Sequence, residues 1–263
     1  MIIDFHTHAF PADLAVKATS KNYISPVLDG SYEALSTSMT LSGIDISLIL
    51  PVSTREGMSE GLNIKASQIG QIANDNRLYS FGSVYPGEQM WDIEVNKVKG
   101  LGLKGIKIQP SFQNCLLSDA KVYELVKYAI EQDLYVLIHV GPDYPTVSPE
   151  CATPKMAAAL IDKLPNTQKL ILAHLGGYNY PIDALSYVAG SDCYLDTSMC
   201  TEAMGLETMY NIIKKHGSDK ILFGSDSPWY SQKKAIEDIY SLNLSQDEFD
   251  NIFFQNACKI LGI

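Results

Sequence analysis

The first eight residues, Met1-Ile2-Ile3-Asp4-Phe5-His6-Thr7-His8, join an apolar run to two histidines that are one residue apart. The apolar run is typical of a buried β-strand. Side chains alternate between the two faces of a strand, so His6 and His8 are predicted to point the same way. Two imidazoles on one face at the end of a strand are well placed to bind one metal ion. The other strand ends are therefore the places to look for further ligands.

Eight short apolar runs, separated by amphipathic helical patterns, follow one another along the 263 residues. The predicted strands cover residues 2–5, 44–50, 78–84, 105–109, 135–140, 170–174, 193–197 and 221–224. Such continuous apolar runs are typical of strands that are buried on both faces. Eight strands, each followed by a helix, predict an α/β protein with a single (β/α)8 TIM-barrel domain over residues 1–263. A doubly wound open sheet is the alternative, but no glycine-rich fingerprint follows any of these strands.

Capping signals mark two of the helices between these strands. Thr153 followed by Pro154 predicts a helix start, with proline at the first helical position. Ser245 and Glu248 form a capping-box pattern at the start of the last helix. Further helices are predicted at residues 32–41, 62–74, 91–100, 207–215 and 234–242, and the helical spacing of apolar residues from Val122 to Ile130 predicts another. His216 precedes Gly217 at a predicted helix end, where a cation complements the helix dipole, so we interpret it as a cap.

Composition limits the partners of the chain. The formal net charge is −10 and only two arginines are present, so nucleic acid and anionic membrane surfaces are not expected to bind. Five cysteines contain no C-x-x-C pair, which predicts reduced thiols. No leader pattern and no apolar stretch of about 20 residues is found. We expect a cytoplasmic protein with a small-molecule substrate, and self-association stays open.

Three other predicted strands also end in a residue that can bind a metal. His139, His174 and Asp226 close the fifth, sixth and eighth runs. In a closed parallel barrel these carboxyl ends meet with His6 and His8 at one mouth, so the metal site is predicted there. Taken singly, a histidine is more often a core residue, and an aspartate more often caps a turn or helix. The combination predicts a site for Zn²⁺, with Mn²⁺ or Fe²⁺ as alternatives.

These motifs resemble the metal-dependent amidohydrolase superfamily, and most closely its amidohydrolase 2 branch, which includes carboxymuconate-semialdehyde-decarboxylase-like proteins. The matching stretches, in the family's order, are Asp4-Phe5-His6-Thr7-His8, Gly105-Ile106-Lys107-Ile108-Gln109-Pro110, Ile138-His139, Ala173-His174-Leu175-Gly176-Gly177, Leu222-Phe223-Gly224-Ser225-Asp226-Ser227-Pro228 and Asn256-Ala257. The resemblance implies that His6, His8, His139 and Asp226 bind one metal ion. It also implies that His174 acts as an acid/base or polarises a substrate carbonyl.

The activity implied by this resemblance is hydrolysis of a small-molecule amide, lactone or related carbonyl substrate by a metal-activated water. Asp226 would take the proton of the water and pass it to the leaving group. The alternative is a metal-dependent non-oxidative decarboxylase of an aromatic or unsaturated acid. A TatD- or PHP-type phosphoesterase is less favoured, because TatD-like chains usually carry a glutamate where this chain has Lys107 and Gln109. A non-catalytic metal-binding barrel is less favoured because His174 and Asp226 are both retained beside the ligands.

Lys107 allows two interpretations. In some superfamily members a carboxylated lysine at the end of the fourth strand bridges two metal ions, and His174 would then bind the second ion. A buried lysine paired with a carboxylate is the other interpretation, and we favour one metal ion.

The loops around the predicted mouth carry candidate substrate-binding residues. Arg55, after the second strand, is a candidate for holding a substrate carboxylate. An aromatic wall for a planar or apolar substrate is predicted from the side chains of Tyr144, Tyr178, Tyr180, Trp229 and Tyr230.

Overall fold

The computed structural model describes residues 1–20, 24–142 and 150–263, and within them short strands alternate with helices. The strands are β1 (Ile3–Thr7), β2 (Ile46–Ile49), β3 (Leu78–Ser80), β4 (Gly82–Ser83), β5 (Gly105–Ile108), β6 (Tyr135–Ile138), β7 (Leu170–Leu172), β8 (Tyr194–Asp196) and β9 (Ile221–Leu222). Each strand pairs in parallel with its neighbour in the orders β1-β2-β3 and β4-β5-β6-β7-β8-β9. The run predicted at 78–84 thus forms two short strands.

Backbone hydrogen bonds join these two sheets into a closed barrel. Only Phe81 separates β3 from β4, and its N–H donates to Ile49 O at 3.2 Å. The two segments therefore form one strand of the barrel. On the other side, Phe5 N donates to Phe223 O at 2.8 Å, which ties β1 to the chain after β9. With β3 and β4 counted as one, eight strands surround one interior. The predicted (β/α)8 barrel is confirmed, and the open-sheet alternative is wrong.

The helices lie between successive strands along the chain. They are α1 (Ala12–Thr19), α2 (Tyr32–Ser42), α3 (Ser59–Ser67), α4 (Ile69–Ile72), α5 (Trp91–Gly100), α6 (Ala120–Glu131), α7 (Pro154–Lys163), α8 (Pro181–Asp183), α9 (Cys200–His216), α10 (Gln232–Tyr240), α11 (Gln246–Asp250) and α12 (Asn256–Leu261). Both predicted caps are confirmed, since Thr153 and Ser245 accept hydrogen bonds from the first turns of α7 and α11. The helix predicted at 62–74 is divided into α3 and α4, and α1 and α8 were not predicted.

Two apolar layers stabilise the barrel. The interior layer contains Ile3, Phe5, Leu48, Leu137 and Leu222, and residues of α12 pack against it. The outer layer fills the space between the strands and the helices. No helix within the described residues is both long enough and apolar enough to cross a membrane.

An irregularity in β1 positions the first histidine. The pairing of β1 with β2 shifts register between Asp4 and Thr7. Phe5 packs in the interior layer, and His6 also reaches inside the barrel, although consecutive residues of a regular strand face opposite ways. The register shift accounts for this, because an extra residue in one strand resets the alternation.

Candidate metal centre

Three side-chain atoms at the mouth of the barrel converge on one point. His8 Nε2 lies 3.3 Å from His6 Nε2 and 3.3 Å from Asp226 Oδ1, and His6 Nε2 lies 3.5 Å from Asp226 Oδ1. A tetrahedral ion with ligand bonds of about 2.0–2.2 Å separates its ligand atoms by about 3.3–3.6 Å. Within the described residues, His6, His8 and Asp226 form a group of three metal-binding side chains whose ligand atoms are close enough to share one ion.

His139 and His174 lie beside this cluster. His139 Nδ1 is 3.0 Å from His174 Nε2, and the His174 ring centroid is 5.3 Å from that of His6. His139 Nε2 is buried and has no hydrogen-bond partner in the described part of the chain. The structure thus brings three of the four predicted ligands together directly, and it places His139 next to them with an unused nitrogen. The four-ligand set stays a prediction.

The electrostatics of the site suit a cation. Burial, together with the nearby Lys107, lowers the pKa of His6 to about 4, although Asp196 and Asp226 act in the opposite direction. Burial and the neighbouring His174 hold the pKa of His139 well below its usual range. Burial alone would raise the pKa of Asp226, but His6 and His8 outweigh it and the pKa lies well below its usual range. The site therefore offers neutral imidazoles at His6 and His139 and an ionised carboxylate at Asp226, which are donors that a divalent cation prefers.

A hydrogen-bonded loop holds Asp226 in place. Asp226 has a left-handed backbone (φ 68°), and its N–H donates to His6 O at 2.8 Å. The buried Asp4 accepts hydrogen bonds from Ser225 N at 2.9 Å and Ser225 Oγ at 2.6 Å. Ser225 Oγ in turn accepts from Ser227 N at 3.0 Å. Asp4 therefore fixes both neighbours of Asp226 in the loop.

Lys107 points into the same space. It is fully buried, and its Nζ lies 3.4 Å from His6 Nε2. This position is compatible with either interpretation of Lys107. The second-metal bridge stays a prediction.

Two aromatic side chains of the predicted wall lie at the site. The Trp229 ring centroid is 5.3 Å from that of His8, and the Tyr178 centroid is 5.4 Å from that of His174. Trp229 Nε1 is buried and has no hydrogen-bond partner within the described residues. One ring thus lies against His8 and the other against His174, and their role in substrate binding stays a prediction.

The other predicted wall residues are placed differently. Tyr230 is buried, and its hydroxyl donates to Asp238 Oδ2 of α10 at 2.6 Å, so the prediction that it lines the mouth was wrong. The Tyr180 hydroxyl donates to Glu150 Oε1 at 3.1 Å. Tyr144 lies outside the described residues. Arg55 is exposed in the loop after β2, and its role in substrate binding stays a prediction.

His216 is a neutral structural residue. Its Nδ1 accepts from Gly190 N at 3.1 Å and its Nε2 donates to Cys193 O at 2.9 Å. Burial lowers its pKa. His216 does end α9, but the prediction of a cationic cap was wrong, because both ring nitrogens are used by neutral backbone partners.

Sequence reasoning missed a carboxylate that contacts a candidate ligand. Asp196 is fully buried at the end of β8, and its Oδ2 lies 2.8 Å from His6 Nδ1. Burial opposes ionisation of Asp196, but His6 and the hydrogen bonds outweigh it and hold its pKa well below the usual range. The signal was present in the sequence, since Asp196 closes the seventh run in the way that His139 closes the fifth.

Comparison with known families identifies the family of the chain. The sequence profile of the family described as Amidohydrolase matches residues 3–263. The chain belongs to the amidohydrolase family. A comparison with curated protein sequences gives no significant match.

Solved structures with the same fold include several amidohydrolase-like barrels. An uncharacterised TIM-barrel protein from Bordetella bronchiseptica matches with a TM-score of 0.82 and 16% identity, covering 99% of this chain and 98% of that one. A probable 2-pyrone-4,6-dicarboxylic acid hydrolase from Acinetobacter baumannii matches with a TM-score of 0.70 and 17% identity, over 100% and 99% of the two chains. A 5-carboxyvanillate decarboxylase from Novosphingobium aromaticivorans, with bound manganese, matches with a TM-score of 0.72 and 17% identity, over 100% and 97%. At these identities the likeness shows the fold alone.

Proposed function

We propose that this amidohydrolase is a metal-dependent hydrolase of a small-molecule amide, lactone or related carbonyl substrate. The convergence of His6 Nε2, His8 Nε2 and Asp226 Oδ1 within 3.5 Å carries the proposal. Asp226 Oδ1 supports it further, because this buried oxygen has no hydrogen-bond partner in the described residues. Orphaned acceptors of this kind are costly unless a ligand satisfies them.

We propose that His6, His8, His139 and Asp226 hold one ion per chain, with Zn²⁺ as the first candidate. Manganese is the main alternative, and two solved structures of the same fold contain it. One ion is favoured over two because both ring nitrogens of His174 already have partners, Ser198 O at 2.8 Å and His139 Nδ1 at 3.0 Å. A divalent ion lowers the pKa of a coordinated water and polarises a carbonyl oxygen.

The residues of the chain supply the rest of the chemistry. The ionised Asp226 is the base that takes a proton from the attacking water and returns it to the leaving group. His174 Nε2 is directed at His139 Nδ1, so a carbonyl-polarising role for His174 requires that this contact opens when the substrate binds. Trp229 and Tyr178 are positioned to bind the substrate at the mouth, and the Trp229 N–H, which has no partner among the described residues, is a donor for it.

Product analysis of the metal-loaded protein tests this proposal. A lactone such as 2-pyrone-4,6-dicarboxylic acid and a panel of simple amides would be incubated with protein containing zinc or manganese. A new carboxylate or amine, lost in Asp226→Asn, supports the hydrolase. Asp219→Asn, an aspartate in the turn before β9, serves as the control.

Decarboxylation is the second candidate, because several solved structures of this fold are named decarboxylases of aromatic acids. Release of CO2 from 2,6-dihydroxybenzoate or 5-carboxyvanillate, without hydrolysis of the first panel, would favour the decarboxylase. Membership in the amidohydrolase family supports either reaction over phosphoester hydrolysis. We also propose that the protein binds neither nucleic acid nor membranes, in keeping with its net charge of −10, and that it works in the cytoplasm.

A further inference from the structure

The two carboxylate oxygens of Asp196 receive different sets of donors. Oδ2 lies 2.8 Å from His6 Nδ1. Oδ1 accepts from the backbone N–H groups of His174 at 3.1 Å and Ser198 at 3.0 Å, and also from the Ser198 hydroxyl. An ionised carboxylate can only accept, so the ring hydrogen of His6 lies on Nδ1. His6 Nε2 then keeps its lone pair, and this is the nitrogen that faces His8 and Asp226.

A second chain of contacts reaches His139 from the same strand end. The carbonyl oxygen of Ser198 lies 2.8 Å from His174 Nδ1, and a carbonyl can only accept, so Nδ1 carries the hydrogen. Where the His174 ring carries this single hydrogen, its Nε2 accepts, and His139 Nδ1, at 3.0 Å, is the donor. His139 Nε2 is left as an acceptor, buried and without a partner in the described residues.

We infer that Asp196 is a positioning residue that holds His6, and through Ser198 and His174 also His139, in the ring tautomer whose Nε2 binds the metal ion. The inference rests on the metal site proposed above. A carboxylate behind a ligating histidine fixes the ring orientation and raises the basicity of the nitrogen that binds the metal. One buried side chain thus orders two ligands that come from different strands.

The distribution of donors predicts what an amide would do at this position. In the wild type, three donors face Oδ1 of Asp196 and one faces Oδ2. In Asp196→Asn, the amide oxygen is therefore expected to take the position of Oδ1. The amide NH2 then faces His6 Nδ1 and needs an acceptor there. Moving the hydrogen of His6 to Nε2 supplies that acceptor and removes the lone pair from the metal cluster; the other neighbour of His6 Nδ1 is Ser198 Oγ, at 3.0 Å.

Histidine ¹⁵N spectra test the inference without metal or activity. Metal-free wild type at about pH 8, where an ordinary histidine is neutral, is labelled on its histidine rings and examined by long-range ¹H–¹⁵N correlation. Each of the five histidines is assigned by its loss in a single substitution. We expect the hydrogen on Nδ1 in His6, His139 and His174. A hydrogen on Nε2 of His6 in the wild type overturns the inference.

Zinc affinity of the variants is the second measurement, by competition with a chromophoric chelator. Asp196→Asn is expected to show His6 with its hydrogen on Nε2 and to bind zinc about 10–100-fold more weakly. Ser198→Ala keeps the backbone groups of residue 198, so His6 and His174 are expected to keep their tautomers. Asp238→Asn removes another buried carboxylate, one that faces Tyr230 and Lys234 away from the cluster, and should leave zinc affinity unchanged.

Three results contradict the inference: unchanged zinc affinity in Asp196→Asn, an unchanged His6 tautomer in that variant, or an equal loss of affinity in Asp238→Asn. If Asp196→Asn does not fold, the wild-type spectrum alone decides the tautomers. A wild type that binds no divalent metal would refute the proposed function, and the spectrum would still show whether Asp196 orients His6.

Discussion

Non-glycine residues with a left-handed backbone occur in the loops that follow β7, β8 and β9. His174 (φ 57°) follows β7, Met199 (φ 50°) follows β8 and Asp226 (φ 68°) follows β9. Each such residue costs about 1–3 kcal/mol and persists where surrounding contacts hold it. At Asp226 the contact is the hydrogen bond from its N–H to His6 O. The left-handed residues His174 and Asp226 are also the ones whose side chains lie at the mouth.

Gly224 gives a prediction at the scale of one residue. A Cβ at this position would lie 2.8 Å from the His6 Cβ and 3.4 Å from the Ser198 Cβ. Since carbon atoms approach favourably only to about 3.5–4.0 Å, Gly224→Ala should displace His6. We expect a loss of stability of about 1–3 kcal/mol, measured by urea unfolding, and weaker zinc binding in chelator competition.

Gly61→Ala is the matched control for this change. Gly61 lies within α3, and a Cβ there meets no atom within 4 Å. Alanine is favoured over glycine in a helix by about 0.5–1 kcal/mol, so this variant should be as stable as the wild type or more stable. Equal zinc affinity in both variants would contradict the displacement of His6.

At the scale of elements, α11 starts with a complete capping box. Ser245 Oγ accepts from Glu248 N at 3.4 Å, and Ser245 N donates to Glu248 Oε2 at 2.8 Å. Ser245→Ala should reduce the free energy of unfolding by about 1 kcal/mol, because one N–H of the first turn loses its partner. Urea unfolding measures this, with Gln246→Ala in the same turn as the control. A larger loss in Gln246→Ala would show that the cap is not the cause.

The ion pair between Asp75 and Arg77 links α2 to the start of β3 and predicts a pH dependence. Arg77 Nη2 lies 2.7 Å from Asp75 Oδ2 and also donates to Ser36 O at 3.2 Å. Hydrogen bonds from Arg77 lower the pKa of Asp75 to about 2. Because the folded pKa lies below the unfolded value of 3.8, the stabilisation is present above about pH 4 and is lost as the pH falls toward 2.

Urea unfolding of the wild type and of Asp75→Asn at several pH values tests this linkage. The wild type should be more stable by about 1 kcal/mol at neutral pH, since the pair is partly solvated, and the difference should shrink as the pH falls to 3. Asp162→Asn, at an exposed site, should show no such trend. A difference that grows toward low pH would contradict the sign.

At the scale of the whole molecule, the candidate ligands come from the first and the last strands of the barrel. His6 and His8 belong to β1 and its end, whereas Asp226 follows β9, and hydrogen bonds between these segments close the barrel. An ion bound by these three side chains therefore connects the first and last strands of the barrel. Only the folded chain presents this site, so metal binding should stabilise the fold.

Thermal unfolding with and without metal tests this connection. At a free zinc concentration of 100 times Kd the stabilisation is about 2.7 kcal/mol, which for a domain of this size raises Tm by about 5–10 °C. Treatment with a chelator should remove the shift. His8→Ala should show a much smaller shift at the same zinc concentration, and an equal shift would place the ion elsewhere.

The sequence alone determined the order of strands and helices, the barrel, and the strand ends that carry His6, His8, His139, His174 and Asp226. These features depend on residues that are close along the chain, such as apolar runs, caps and strand ends. The helix at Trp91–Gly100 and the capping box at Ser245 were predicted for the same reason.

Only the tertiary structure decided which partner each side chain has. His6 and Asp196 are 190 residues apart, and His139 and His174 meet only because their strands are neighbours in the barrel. The exposure of Arg55, the neutral state of His216 and the bond from Tyr230 to Asp238 likewise depend on packing. Local sequence patterns determine which side chain lies at the end of a strand. Hydrogen bonds between segments that are distant in sequence determine the tautomer, the charge and the role of that side chain.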